Sequence, residues 1–198
     1  MNNKRSQKLK EIRDEVWNLI ASPLYPYRKK NNYYPVIGEG NHFAKIVFIG
    51  EAPGKNEAQT GRPFCGQAGK ILDQLLESVS IKRPDIYITN IIKDRPPGNR
   101  DPSPQEIKIY SPFLVKQLKI IKPKIIATLG RFSMEFIIRL YHLENQLEKI
   151  SRLHGRVFLA QAPWGKIKII PFYHPAVALY NSNQLVVLKQ DFQALKSA

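Results

Sequence analysis

Three polar side chains with different hydrogen-bonding chemistry stand at or just after the ends of short apolar segments. Glu51 follows the run 46–49, Asn90 lies near the end of a second β-rich run, and His174 follows a later one. A carboxylate accepts hydrogen bonds, an amide both donates and accepts, and an imidazole can donate. Open α/β sheets bind ligands at the carboxyl ends of their strands. We therefore expect the three groups to converge on one pocket.

Each of these residues, taken singly, has an ordinary structural explanation. A loop Glu is usually solvated, a strand Asn usually bonds to backbone, and a His before Pro often fixes a turn. Here, however, the residues occur at three strand ends and beside a glycine-rich loop, 50–66, which opens a helix. Such a helix start offers free backbone N–H groups to an anion or a carbonyl. The combination favours a functional site.

The elements that must position these groups alternate along the chain. Short apolar runs predict strands, and apolar residues at three- and four-residue spacing predict helices. This alternation is typical of an α/β fold, here a three-layer α/β/α domain with a central four-stranded parallel sheet, spanning 1–198 as a single domain. The predicted strands are 45–50, 85–92, 124–130 and 166–171, and the predicted helices are 3–21, the segment after Gly66, 104–121, 131–141 and 182–196.

Composition narrows the class of protein. The chain has 198 residues, 43 % of them hydrophobic, and a net charge of +15, which predicts attraction to polyanions, nucleic acid before membrane surfaces. The single cysteine, Cys65, excludes an internal disulfide and a metal site built on several thiolates. Because we find neither a signal peptide nor a membrane span, we expect a cytoplasmic protein. We also expect the protein to act as a monomer.

Four ordered blocks carry a resemblance. They are residues 50–54 (Gly-Glu-Ala-Pro-Gly), 61–69 (Gly-Arg-Pro-Phe-Cys-Gly-Gln-Ala-Gly), 89–100 (Thr-Asn-Ile-Ile-Lys, Asp, then Arg-Pro-Pro-Gly-Asn-Arg) and 174–176 (His-Pro-Ala). In order and spacing they resemble the motifs of family 4 uracil-DNA glycosylases, over about residues 36–195. The resemblance implies the uracil-DNA glycosylase fold and a prokaryotic or viral repair enzyme. Such an enzyme hydrolyses the N-glycosidic bond of uracil in single- or double-stranded DNA and leaves an abasic site.

The resemblance also assigns roles to matching positions. Phe64 would stack on the flipped uracil, Asn90 would read its Watson–Crick edge, and His174 would donate to O2 of the departing base. Glu51 would hold the attacking water, with Glu57 as the second choice for that task. Backbone groups at Gly50, Ala52 and Gly54 would complete the uracil site.

Other matching positions would contact DNA. Basic side chains would face phosphates, and the loop after His174 would act as a minor-groove wedge, in which Leu179 or Tyr180 fills the gap left by the base. These contacts predict binding that weakens steeply with salt. The expected DNA contacts are Lys55, Arg62, Lys93, Arg95, Arg100, Ala176, Leu179 and Tyr180.

One feature of the family is missing. Family 4 enzymes typically hold an iron–sulfur cluster on four cysteines, but the matching positions here are Leu19, Ser22, Asp94 and Tyr110. We therefore expect no cluster and no other cofactor, with Cys65 as a packing residue. We also expect Leu19, Tyr110 and nearby tyrosines to fill the vacated space.

Three other functions stay open. The chain could excise another deaminated base such as hypoxanthine or xanthine, or bind uracil or abasic sites without catalysis. The pattern alone also fits a small-molecule α/β enzyme such as a nucleotide hydrolase, although that would leave the charge and the loop 93–100 unexplained. Asn90 and Phe64 favour uracil, and the intact Glu51, Asn90 and His174 favour catalysis. The sequence does not define the preferred base pairing or a replication or repair partner.

Overall fold

A mixed six-stranded sheet forms the centre of the computed structural model, which describes residues 2–196. The strand order is β1-β3-β2-β4-β6-β5. The middle four strands are parallel, and the two edge strands β1 and β5 run antiparallel to their neighbours. The strands are β1 (Glu39–Gly40), β2 (Ile46–Gly50), β3 (Tyr87–Asn90), β4 (Ile125–Leu129), β5 (Phe158–Ala162) and β6 (Gly165–Phe172).

Helices cover both faces of this sheet. On one face α1, α5 and α6 pack over β2 and β4 through side chains such as Ile12, Leu118 and Ile137. On the other face α4 and α9 pack through Leu75 and Phe192. The helices are α1 (Asn2–Trp17), α2 (Tyr25–Lys30), α3 (Lys55–Thr60), α4 (Gln67–Ser78), α5 (Pro104–Ile121), α6 (Arg131–Leu140), α7 (Ile150–Leu153), α8 (Val177–Tyr180) and α9 (Asn183–Phe192).

The predicted three-layer α/β/α class is confirmed, and so is the parallel four-stranded centre. The strands of that centre are buried along most of their length, as expected for parallel strands covered on both faces. The edge strands β1 and β5 were not predicted. None of the helices within residues 2–196 is long and apolar enough to cross a membrane.

Some predicted boundaries are wrong. The first helix ends at Trp17, not at residue 21. The segment 22–44, in which neither a helix nor a strand was predicted, contains α2, where Pro26 occupies an early helical position that tolerates proline. A capping box begins α5, because Ser103 accepts from the backbone N–H of Glu106 and the Glu106 carboxylate accepts from that of Ser103.

The positions expected to replace cluster cysteines form a buried polar network. Tyr110 donates to Asp94 over 2.6 Å, Ser22 and Tyr110 share a 2.6 Å hydrogen bond, and Arg28 forms an ion pair with Asp94 at 3.1 Å. Arg28 also donates to the carbonyls at the end of α1. Leu19 packs against the edge of the core. The expected filling by Leu19 and Tyr110 is thus only part of the arrangement, since an ion pair occupies the centre.

These residues do not fit an iron–sulfur cluster. Thiolates ligate such clusters, whereas these positions offer one carboxylate, already paired with a guanidinium, and two hydroxyls. The hydroxyls bond to one another, and that of Tyr110 also donates to the carboxylate. Burial raises the pKa of Asp94, and the Arg28 charge opposes that rise. Within residues 2–196, no group of three or more His, Cys, Asp or Glu side chains could hold a metal ion.

Candidate active site

The residues with candidate chemical roles line one cavity at the carboxyl edge of the sheet. Its volume is about 320 Å³, and Glu51, Phe64, Asn90 and His174 line it, together with Ala52 and Glu57. Glu51 follows β2, Asn90 ends β3, and His174 comes two residues after β6. Backbone bonds from Ile91 to Gly50 and from Ile92 to Glu51 continue the β2–β3 pairing past the strand ends. The three strand tips therefore share one pocket.

Gly50 allows two of these side chains to approach the backbone closely. A Cβ atom at this position would lie 2.3 Å from Oδ1 of Asn90 and 2.8 Å from the ring of Phe64. Any larger residue would push the amide and the ring apart. The ring also lies beside His174, with ring centroids 5.7 Å apart. Amide, aromatic ring and imidazole thus surround a narrow space.

Phe64 is held in an unusual backbone conformation. Its φ of 47° lies in the left-handed region, which is uncommon for a residue other than glycine. Arg83 donates to the carbonyls of Pro63 and Phe64 at 2.8 and 3.0 Å, and to Asp73 at 2.7 Å. Sequence reasoning missed Arg83, because a basic residue in a Lys-Arg-Pro-Asp turn carries no signal that it reaches across to another loop.

Glu57 holds the other side of the same turn. Its Oε1 accepts from the backbone N–H groups of Cys65 and Gly66 at 3.0 and 2.8 Å. Gly66 is the residue before α4, so this carboxylate satisfies N–H groups at a helix start. A Cβ at Gly69 would lie 1.9 Å from the carbonyl oxygen of Phe64, so glycine lets α4 approach the turn.

Asn90 is almost fully buried, and its Oδ1 has no hydrogen-bond partner among the described residues. A buried acceptor without a partner costs free energy, so such an atom is a candidate contact for a polar ligand. The backbone carbonyl of Asn90, by contrast, accepts from Nζ of Lys93 at 2.7 Å. The backbone of Asn90 is therefore held by Lys93, while Oδ1 of its side chain has no partner among the described residues.

The expectation that Lys93 faces a phosphate is wrong. Its side chain is fully buried, and Nζ also donates to Thr89 and Gln117 at 2.7 and 2.6 Å. Burial lowers the pKa of Lys93 well below its usual range. Lys93 therefore supports the end of β3 from behind and cannot reach solvent or DNA.

His174 is oriented by its own turn. Its Nδ1 accepts from the backbone N–H of Ala176 at 3.2 Å, which leaves Nε2 to carry the proton in the neutral ring. Burial lowers the pKa of His174 to about 4, and the nearby Glu57 charge only partly opposes that change. At neutral pH the ring is thus an uncharged hydrogen-bond donor.

Glu51 is a carboxyl group in an apolar setting. Burial raises the pKa of Glu51 to about 7, the charge of Asp101 adds to the rise, and Arg131 opposes it. Asp101 and Arg131 form an ion pair with each other, and both side chains are more than half exposed. A carboxyl with a pKa near neutrality can hold a water and accept its proton.

The remaining basic candidates are distributed around this cavity in different states. Lys55 is exposed at the start of α3. Arg62 is exposed but forms a bidentate pair with Glu39, and Arg100, which lines the cavity, forms one with Glu106. Arg95 donates to Asn99 at 2.7 Å, and Asn99 also lines the cavity. Their contacts with phosphates stay a prediction.

The segment after His174 forms a short protruding turn. Leu179 is 45 % and Tyr180 is 89 % exposed, at the end of α8. Ala176 lines the cavity at the base of this turn. The backbone N–H of Val177 donates a hydrogen bond to the carbonyl of His174, which connects the turn directly to the imidazole residue.

Comparison with known proteins agrees with this fold. Residues 37–196 match the Uracil DNA glycosylase superfamily. Relatives named type-4 uracil-DNA glycosylase are 45 % identical in Archaeoglobus fulgidus, over 96 % of this chain and 92 % of theirs, and 43 % identical in Saccharolobus solfataricus, over 94 % and 84 %. The relative of that name in Thermotoga maritima is 37 % identical, over 98 % of this chain and 95 % of its own.

The chain belongs to the type-4 family of the uracil DNA glycosylase superfamily. Membership of this family makes it a DNA-repair enzyme of the hydrolase class. These three relatives come from prokaryotes.

Proposed function

We propose that the chain hydrolyses the N-glycosidic bond of uracil in DNA and leaves an abasic site. The observation that carries this proposal is the meeting of Glu51, Asn90 and His174 around one cavity beside the ring of Phe64. Those groups supply an acid, an amide reader, a neutral donor and a stacking surface. DNA suits a chain with a net charge of +15.

Base recognition is assigned to Asn90 and Phe64. The unpartnered Oδ1 of Asn90 accepts from N3–H of uracil, and its Nδ2 donates to O4. Cytosine presents an acceptor at N3 and an amino group at C4, so both bonds would be lost and buried polar groups would stay unpaired. The ring of Phe64 stacks on the base, as aromatic side chains do on any base.

Departure of the base is assigned to His174. As the C1′–N1 bond breaks, its electron pair passes to the base and negative charge develops on O2. The Nε2–H of a neutral imidazole donates a hydrogen bond there, and a pKa of about 4 keeps the ring neutral throughout. Backbone N–H groups near Ala52 and Gly54 add to this stabilisation.

Water activation is assigned to Glu51. Its carboxylate holds the water that bonds to C1′, accepts a proton from it, and offsets the positive charge of an oxocarbenium-like sugar. Oε1 of Glu57 is already occupied by two backbone N–H groups, which favours Glu51 over Glu57 for this role. Glu57 then acts by holding the Phe64 turn.

The base must leave the duplex before these groups can reach it, which costs a few kcal/mol. The exposed Leu179 and Tyr180 are suited to enter the gap. Lys55 and Arg95 supply positive charge near the cavity for phosphates, with Arg62 and Arg100 available if DNA replaces their carboxylate partners.

An excision assay tests this function. Oligonucleotides that contain U, T, hypoxanthine, xanthine or only normal bases are incubated with the protein, as single and double strands, and abasic sites are then cleaved by alkali. Strand breaks only at U support the proposal. Breaks at hypoxanthine or xanthine would assign another deaminated base, and binding without breaks would assign a non-catalytic role.

Asn90→Ala tests the assigned reader. It should lose uracil excision while DNA binding persists, because binding depends mainly on phosphate contacts. The matched control is Asn145→Ala, an exposed asparagine that does not line the cavity. Normal excision by Asn90→Ala would refute this assignment.

A further inference from the structure

A second groove lies beside the uracil cavity and takes no part in the chemistry above. It has a volume of about 340 Å³ and lies between the end of α1 and the segment around α2. Four aromatic side chains line it, Trp17, Tyr25, Tyr33 and Tyr34, together with the cations Arg28 and Lys29. Within the described residues, no acidic side chain lines this aromatic groove.

Two of its aromatic rings are unusually open to solvent. Trp17 is 47 % and Tyr34 is 48 % exposed, and their ring centroids lie 5.9 Å apart at an interplanar angle of 47°. Large aromatic surfaces are costly to leave in water unless a partner covers them. Rings that are tilted and spaced in this way present separate faces, each of which can accept one flat group.

Lys29 makes the groove attractive to a polyanion, whereas Arg28 is buried and its charge is paired with that of Asp94. Arg28 lies under Tyr25, with its guanidinium 4.9 Å from the ring centroid, and is fixed by Asp94 and by the carbonyls of Val16 and Trp17. Lys29 is exposed at the groove. Flat aromatic faces combined with positive charge are the features that bind single-stranded nucleic acid.

The groove adjoins the uracil cavity. Arg95 donates to the hydroxyl of Tyr33 at 2.9 Å and to Asn99, a residue that lines the cavity. On the other side, the N–H of Tyr34 donates to the carbonyl of Ala58 in α3, the helix that follows the Glu51 loop. The side chain of Arg95 therefore links Tyr33 of the groove to Asn99 of the cavity.

We propose that the aromatic groove binds a single-stranded segment of the DNA that flanks the uracil. Bases stack on Trp17 and Tyr34, and Lys29 contacts a phosphate. The segment must be unpaired, because a duplex hides the faces of its bases. This proposal rests on the proposed function for its choice of DNA, and it extends that function to a preference for longer single strands.

Tryptophan fluorescence tests the groove without any catalysis. The chain has two tryptophans, so Trp164→Phe leaves Trp17 as the reporter, and Trp17→Phe leaves Trp164. Trp164 lies on another groove and bonds to the carbonyl of Pro123. An oligothymidylate without uracil should quench Trp17 saturably and leave Trp164 unchanged. No quenching of Trp17 at a concentration that saturates DNA binding would overturn the proposal.

Substitutions at the groove test its contribution to substrate choice. Trp17→Ala and Tyr34→Ala should each lower the ratio of kcat/KM for a long over a very short uracil oligonucleotide, by about 5-fold to 150-fold, as for one stacked base. The control is Phe43→Ala, because Phe43 is 44 % exposed and contacts Arg5 near the opposite edge of the sheet. Thermal unfolding of each variant confirms that it is folded.

The outcomes separate this proposal from the proposed function. Suppose that the protein excises uracil, and that Trp17→Ala and Tyr34→Ala leave the ratio of kcat/KM for long over short oligonucleotides unchanged. The groove proposal is then wrong, and the proposed function stands. A protein whose Trp17 is quenched by DNA but which never releases uracil has the groove and lacks the activity. An equal loss for both lengths of substrate would also overturn the groove, because it would indicate a structural effect.

Discussion

Two polar clusters lie close together along the chain, one at Asn90, the last residue of β3, and one at Asp94 in the loop that follows, and they differ in how completely their groups are paired. In the cavity that Glu51, Asn90 and His174 line, Oδ1 of Asn90 has no partner among the described residues, and Glu51 and His174 have strongly shifted pKa values. In the cluster around Asp94, both carboxylate oxygens accept hydrogen bonds.

The difference follows from what each cluster must do. A site that binds a polar base has to leave acceptors and donors unsatisfied until that base arrives, and this costs stability. A cluster that only joins segments gains by pairing every group. Here the paired cluster connects α1, α2, the loop after β3 and α5. It stands where the family typically has its iron–sulfur cluster.

The largest effect is expected from Glu51→Gln. Excision should fall by about 100-fold to 10,000-fold, because the water loses its base. Stability should not fall. The folded-state pKa of about 7 exceeds the ordinary Glu value of 4.5, so ionisation of Glu51 lowers the free energy of unfolding as the pH rises from 4.5 to about 7. The full cost is present above pH 7, and glutamine removes it. Single-turnover excision and thermal unfolding at pH 8 measure both quantities. A clearly lower melting temperature for Glu51→Gln than for the unaltered protein would contradict the claim that the ionised Glu51 lowers stability.

The opposite pattern is expected from Asp94→Asn. It should lower the free energy of unfolding by about 3–5 kcal/mol, because the buried Arg28 loses its counter-charge. The folded fraction should still excise uracil. Urea denaturation measures the loss. The double variant Arg28→Met with Asp94→Leu is the control, and it should be less destabilised than Asp94→Asn, since no charge is left buried.

A smaller effect is expected at the Phe64 turn. Arg83→Ala should lower kcat/KM for uracil excision about tenfold, because the two carbonyls that hold the turn lose charged donors. Arg83→Lys should restore part of the activity. The matched control is Asp73→Asn, which removes only the ion pair of Arg83 and should have less effect. Equal losses for Arg83→Ala and Asp73→Asn would show that the bonds to the turn do not matter.

The smallest effect concerns pH. Because Glu51 must be ionised, the excision rate should rise with pH through a midpoint near 7. The titration of His174 should cause no further change in the rate between pH 5 and 9, because its pKa is about 4. Asp101→Asn should move the midpoint down, because a like charge is removed. Arg131→Gln should move it up. Both changes should shrink in high salt, since these side chains are exposed. Single-turnover rates over this range measure the midpoints.

The sequence predicted the central sheet and the meeting of strand tips well, because buried parallel strands read as continuous apolar runs. It could not predict the edge strands. The two residues of β1 are too few for a pattern. The positions of β5 do alternate between the interior and solvent, but the exposed Leu159 is apolar and hides that alternation in the sequence. The helix α2 was missed because a proline usually ends a helix, whereas Pro26 lies in the first turn of this one.

Side-chain partners were harder to predict than elements. Lys93 lies in a basic stretch that looks exposed, yet Gln117, which is distant in sequence, and Thr89 enclose its ammonium group. Arg83 and Arg28 were missed for the same reason, because their partners come from other loops. Long-range pairing of this kind leaves no local pattern in a single sequence.

The turn that carries Leu179 and Tyr180 is joined to His174 by hydrogen bonds. Ala176 donates to Nδ1 of His174, and Val177 donates to the carbonyl of His174, so the imidazole residue is bonded directly to the start of the turn that carries Leu179. If Leu179 enters DNA as proposed, a displacement of that turn moves the imidazole as well. Insertion into the double helix and closure of the pocket around the base would then be a single movement.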